Sequence, residues 1–125
     1  MERVLCIGFW HSVGWLCNVR ALPGLALAVF SWICDVPGTE LRDQFAPVFA
    51  ELGLQFEDSF CNHHQVYAED RRDGSVPAEA RVKVLVSWVS PQQQRAQVEV
   101  RSSEAQLRSS TRCEQVAHCL QSQFS

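Results

Sequence analysis

"RVKVLVSWVSPQQQRAQVEVR", residues 81–101, decides the fold. Val82, Val84, Val86 and Trp88 alternate with Arg81, Lys83, Leu85 and Ser87. Beyond "SPQQQ", Ala96, Val98 and Val100 alternate with Arg95, Gln97, Glu99 and Arg101. Successive side chains on a strand point to opposite faces, so each run carries one apolar and one mostly polar face. Two such runs joined by a short polar turn predict an antiparallel hairpin, half-buried, with the valines inward.

A half-buried hairpin needs a cover. Downstream, Cys113, Val116, Ala117, Leu120 and Phe124 recur at helical spacing and form one apolar stripe. Thr111-Arg112-Cys113-Glu114 reads as a capping box and predicts that helix to start at Thr111. Upstream, Leu41, Phe45, Val48 and Leu52 form a second stripe. Thr39 is the expected cap of this helix and Gly53 its left-handed terminator, while Pro47 predicts a bend within it.

The remaining elements follow. "LALAVFSWI", residues 25–33, is short and apolar and predicts a buried strand. "DVPGT" after it is a turn. Leu54, Phe56 and Phe60 suggest one strand that continues, with a break or bulge, into "HHQVYAE" at residues 63–69. "DRRDGSVPAE" is a polar loop. The order is β-α-β-β-β-α, and its simplest packing is an α+β two-layer sandwich, an antiparallel sheet with two helices on one face. Arg81, Lys83, Arg95 and Arg101 then lie on the uncovered face, where a partner can dock.

The chain has 125 residues, which predicts one domain, with no internal repeat at solenoid spacing. Residues 25–125 are expected to form it. Residues 1–24 read as an apolar N-terminal extension. Its uncharged run at 4–19 is shorter than the ~18–20 residues needed to span a bilayer. Arg3, the apolar run and Ala26-Leu27-Ala28 also fit a secretory signal over residues 1–28, the alternative that would make the protein secreted. Arg20 and the diluting Gly8, His11, Ser12 and Gly14 argue against it. The six cysteines show no CxxC and mostly sit in apolar periodic segments. A reducing compartment and a cytoplasmic, soluble protein are therefore expected.

Charge is uneven. Residues 35–80 carry three arginines against ten acids, for −7, and residues 81–125 carry six cations against three acids, for +3. The two halves can neutralise each other within one fold or present separate docking faces.

Candidate chemistry is sparse. No Walker A loop, GxGxxG, GxSxG or HExxH occurs, so no catalytic activity and no cofactor are expected. Cys61 and His63 are the candidate metal ligands. On an extended chain they stand roughly 7 Å apart, and the further donors on the last helix, Cys113, His118 and Cys119, do not share a direction. The acids Glu57, Asp58, Glu69 and Asp70 are expected to be solvated at strand ends. A stronger suggestion is the start of the last helix: Arg108, Ser109, Ser110, Thr111 and Arg112 place hydroxyls and guanidinium groups beside free backbone N–H groups, a pattern suited to a phosphate or carboxylate.

From residue 39 onward the element order, α-β-β-β-α, resembles that of double-stranded-RNA-binding domains in order alone. A single lysine and a net charge of −3 count against nucleic acid. An apolar ligand pocket beneath the Pro47 bend is a further possibility to be tested. The expected function is non-catalytic binding of another protein, with RNA or anion binding and metal binding as alternatives.

Overall fold

The alternation across residues 82–100 is realised in the computed structural model, which describes residues 3–5, 16–22, 25–102 and 107–124. Side chains are described from residue 29 to 102, Glu79 excepted, and from 112 to 124. In chain order the strands are β1 (Arg3–Leu5), β2 (Leu16–Leu22), β3 (Leu25–Asp35), β4 (Leu54–Phe56), β5 (Gln65–Asp70), β6 (Lys83–Ser90) and β7 (Arg95–Ser102). The helices are α1 (Leu41–Leu52), between β3 and β4, and α2 (Leu107–Gln123), after β7. The α+β architecture read from the sequence is thus the observed one.

All strands join one antiparallel sheet in the order β1-β2-β3-β7-β6-β5-β4. Val84 faces Val100 and Val86 faces Val98 across the β6–β7 hairpin, and all four valines are fully buried. Gln94 closes the turn in the left-handed region, at φ 56. Phe30, Trp32 and Cys34 continue the apolar surface onto β3, where Phe30 faces Val100 and Trp32 faces Val98. Both helices pack here. Leu41, Phe45, Val48 and Phe49 of α1 and Cys113, Val116, Ala117 and Leu120 of α2 join those strands in one core. Phe124 completes it: its ring stacks on Phe45 with centroids 4.1 Å apart, and Trp32 Nε1 donates to its carbonyl at 3.0 Å.

Local departures from the expectations have physical reasons. Helix α2 begins at Leu107, so Thr111 lies inside the helix and is not its cap. Leu107 and Arg108 favour helix, and elongation costs far less than nucleation, so one more turn outweighs the capping pattern. At α1 the N-cap is Glu40, not Thr39, and it makes no side-chain cap bond. Gly53 does end α1 in the left-handed conformation, φ 74, with its N–H on the Ala50 carbonyl at 3.1 Å. The helix passes through Pro47 as one element, with the ring exposed.

Strand β3 is half-buried rather than fully buried, since Ile33 is 49% exposed while Trp32 and Cys34 are covered. Residues 54–69 also form two antiparallel strands rather than one interrupted strand; Phe56 faces Ala68. Asn62 makes the reversal: its Oδ1 accepts from the N–H groups of His64 and Gln65 at 2.8 and 3.1 Å. Such an asparagine turn satisfies the backbone groups that an extended chain would send to a neighbour.

Candidate functional site

Strand alternation gives the sheet a second face, and among the described residues both helices lie on the other one. Backbone register orders this outer face into rows. One row runs Tyr67, Leu85, Glu99, Ser31 from β5 through β6 and β7 to β3. The next runs Gln65, Ser87, Gln97, Ile33, and the third Glu69, Lys83, Arg101, Val29. Gln97 Nε2 donates to Ser31 Oγ at 2.9 Å, tying two rows together. Gln65 Nε2 reaches the Phe60 carbonyl at 2.9 Å, which sets the loop before β5 along the lip of the face. There the Phe60 ring meets Tyr67 edge-on, with centroids 5.5 Å apart, and remains 58% exposed.

The result is a mixed surface. Phe60, Tyr67, Leu85 and Ile33 supply apolar area, and all are at least partly exposed. Burial raises the Tyr67 phenol above its ordinary range, with Glu69 adding to the effect, so the ring stays neutral at physiological pH. The four docking cations expected from the sequence all lie at this face or its margin, and each has a partner. Arg101 Nη1 pairs with Glu99 at 3.5 Å, Arg95 Nε with Asp35 at 3.8 Å, and Arg81 Nη1 with Glu69 at 3.5 Å. Lys83 Nζ donates to the Ala78 carbonyl at 2.9 Å. The face therefore presents balanced charge rather than a basic field, and the two exposed pairs, Arg101–Glu99 and Arg95–Asp35, contribute little stability.

Two of the acids expected to be solvated are instead enclosed. Glu69 is 8% exposed and accepts from Arg71 Nε at 2.7 Å as well as from Arg81. Arg71 also pairs with Glu57. Hydrogen bonds from Ser59 and then Arg71 hold the Glu57 carboxyl below its usual range. Asp70, on the helix side, takes Arg112 Nε at 2.9 Å and Arg72 Nε at 3.2 Å. Burial alone would push Asp70 upward; the bonds from Arg72 and Arg112 outweigh it, and its carboxyl lies below the usual range.

Those contacts place the candidate anion residues. The Arg112 guanidinium spans Asp70 and the Leu52 carbonyl, so it joins α2 to β5 and to the last turn of α1. Arg108, Ser109, Ser110 and Thr111 fall within the first turns of α2, and their side chains lie outside the described residues.

The candidate metal ligands are not brought together. Cys61 Sγ accepts from the Tyr67 N–H at 3.4 Å and donates to the Glu57 carbonyl at 3.4 Å, which locks the β4–β5 connection. His63 and His64 stand exposed in the turn that Asn62 makes, so the extended geometry assumed for them does not occur. Among the described residues no group of three His, Cys, Asp or Glu is placed to hold a metal ion. Among them, too, no helix is long and apolar enough to cross a membrane.

Sequence reasoning assigned Leu85 to the outer face but missed Ile33, Phe60 and Tyr67. Ile33 was hidden because an apolar run shows no period. Tyr67 and Phe60 were hidden by the unexpected turn at Asn62. No protein-family model, no curated protein and no solved structure matches this chain.

Proposed function

We propose that the chain is a non-catalytic binding module that docks another protein on the outer face of its sheet. The observation that carries this reading is the exposure of Ile33 at 49% and Phe60 at 58%, together with part-exposed Tyr67 and Leu85, on the face opposite both helices. Aromatic and aliphatic anchors surrounded by polar pairs are the ordinary composition of a protein interface. The paired charges supply a rim that sets orientation without opposing approach.

Leu85→Glu tests the reading, because it introduces charge between Tyr67 and Glu99 on this face while lying outside the core. Affinity capture from the native source should recover a stoichiometric partner with the wild type and lose it with Leu85→Glu. A variant on the helix side, Gln115→Glu, should retain it. Equal capture by all three refutes docking on this face.

A further inference from the structure

The connection between β5 and β6 holds a chemical feature that docking does not use. Of the five aspartates in the chain, only Asp73 precedes a glycine. A peptide nitrogen adds to the neighbouring carboxyl carbon most readily where no side chain shields it and the backbone is free to bring the two together. Asp73, Gly74 and Ser75 are exposed, in a turn closed by the Val76 N–H on the Asp73 carbonyl at 3.2 Å. Neither backbone conformation nor space demands the glycine. Gly74 does not take the left-handed conformation of Gly38 and Gly53, and a Cβ there would meet nothing within 4 Å. Asp73 Oδ1 accepts from the Ser75 N–H at 2.9 Å and from the Ser75 hydroxyl at 2.6 Å. The first bond closes a ring that contains both the Asp73 Cγ and the Gly74 nitrogen. Both donors also favour the negative charge that addition at Cγ places on oxygen.

The other aspartates lack one condition or the other. Asp35 precedes the β-branched Val36, whose N–H is held by the Gln94 carbonyl at 2.8 Å. Asp43 lies within α1, where the helix fixes the backbone. Asp58 opens a 3₁₀ turn and pairs with Arg42 at 2.7 Å. Asp70 lies on β5 with its carboxylate held by Arg72 and Arg112.

We infer that Asp73–Gly74 is a site of self-modification, where the chain converts to an isoaspartyl linkage while folded. The Gly74 nitrogen adds to Cγ of the protonated Asp73 side chain. Its proton leaves with the carboxyl hydroxyl as water, and a cyclic imide closes. Water then adds back. Opening at the Cγ side restores aspartate. Opening at the former backbone carbonyl leaves the chain running through Cβ and Cγ and frees an α-carboxylate. The water lost in the first step is regained in the second, so the conversion needs no oxidant or cofactor. The fold tolerates the longer backbone because this loop is anchored on either side of the site. The Asp70 N–H bonds to the Val82 carbonyl at 2.9 Å, and the Ala80 N–H to the Pro77 carbonyl at 2.9 Å. The freed carboxylate is the substrate group of an S-adenosylmethionine-dependent carboxyl methyltransferase, which moves a methyl group from the sulfonium sulfur to a carboxylate oxygen.

The test is prolonged incubation of the purified, folded chain at neutral pH and physiological temperature, with isoaspartate scored residue by residue by peptide fragmentation. The same chain unfolded in guanidinium chloride sets the rate of an unconstrained backbone. Residue 73 should convert in the folded chain within about tenfold of its unfolded rate, whereas Asp35, Asp43, Asp58 and Asp70 should slow by far more. Gly74→Ala should slow conversion at residue 73 by about tenfold, equal to about 1.4 kcal/mol of added barrier. Circular dichroism should show that variant folded, since its Cβ meets open space. Enzymatic methylation of the aged wild type should label residue 73. No conversion there in the folded chain while the unfolded chain converts, or equal conversion in Gly74→Ala, overturns the site. Loss of the fold on conversion overturns its tolerance by the loop.

Discussion

Replacing Arg112 with methionine keeps most of the aliphatic stem and removes the guanidinium. Three polar contacts depend on that group directly or through its partner: the bond to Asp70 Oδ2 at 2.9 Å, the bond to the Leu52 carbonyl, and the orientation of Asp70 toward Arg72. A hydrogen bond to a charged group contributes about 1.5–3 kcal/mol, and breaking a fully buried ion pair costs about 3–5 kcal/mol. The Arg112 and Asp70 side chains are 21% and 13% exposed, so water can partly re-solvate what is left behind. Arg112→Met should therefore destabilise the fold by about 2–3 kcal/mol, equivalent to a drop on the order of 10 °C in Tm. Arg112→Lys should fall between, because an ammonium restores charge but not two bonds in different directions. Urea unfolding followed by circular dichroism measures the loss, and an unchanged m-value would locate it in the native state. Combined with Asp70→Asn, the two losses should be less than additive by about 1 kcal/mol or more. A loss below about 0.5 kcal/mol, or strict additivity, would show that Arg112 is not the tie between the helices and the sheet.

Gly53 sits at φ 74, and a Cβ there would collide with the Arg72 side chain, so Gly53→Ala should cost about 1–2 kcal/mol. Gly53→Asn should recover part of the backbone term, and equal losses for both would assign the cost to the collision. Acid should weaken the fold through Asp70. Its folded pKa lies below the ordinary value of 3.8, so its contribution is fully present above that pH and is lost as pH falls through the lowered value. Asp70→Asn should be less stable than wild type at pH 7 and should flatten the stability curve below pH 3.8; an unchanged slope would contradict the assignment. Burial, with help from Asp35, pushes the Cys34 thiol up to about 11. Alkylation of native protein at pH 8 followed by mass mapping should therefore leave Cys34 and the buried Cys113 unmodified until unfolding, and early labelling of either would sink the packing described.

The parts of the molecule that were legible in advance are those with a clean period and a single job. Val84, Val86, Val98 and Val100 alternate on strands with one dry face, and Val116 and Leu120 recur every turn on a helix with one dry side. Each of those patterns fits one kind of element with one buried side, so position and orientation followed. Ile33 was misread because its neighbours Trp32 and Cys34 are also apolar; composition marks a strand there but not which side faces out. The turn at residues 61–64 was misread because it depends on Asn62 and Cys61 bonding to nearby backbone, interactions with no hydrophobic signature. In the sequence Arg112 reads as a candidate anion ligand at a helix start. Its contacts are not legible there, because Asp70 and the end of α1 converge on it from 42 and 60 residues away. Long-range polar convergence of that kind is invisible to periodicity.

The middle of the sheet is where β3 meets β7, and these strands are drawn from opposite ends of the described domain: Trp32 lies against Val98 and Ile33 against Gln97. During synthesis β3 emerges early and must wait for nearly the whole domain before its principal neighbour is available. Until then its ladder groups toward β7 and its dry side are uncovered, the condition under which nascent chains recruit chaperones or aggregate. Pairing so remote in sequence also demands costly loop closure before any contact rewards it, which favours folding in the millisecond-to-second range. A circular permutant that brought the β3 and β7 segments close together in the chain should fold faster at similar stability.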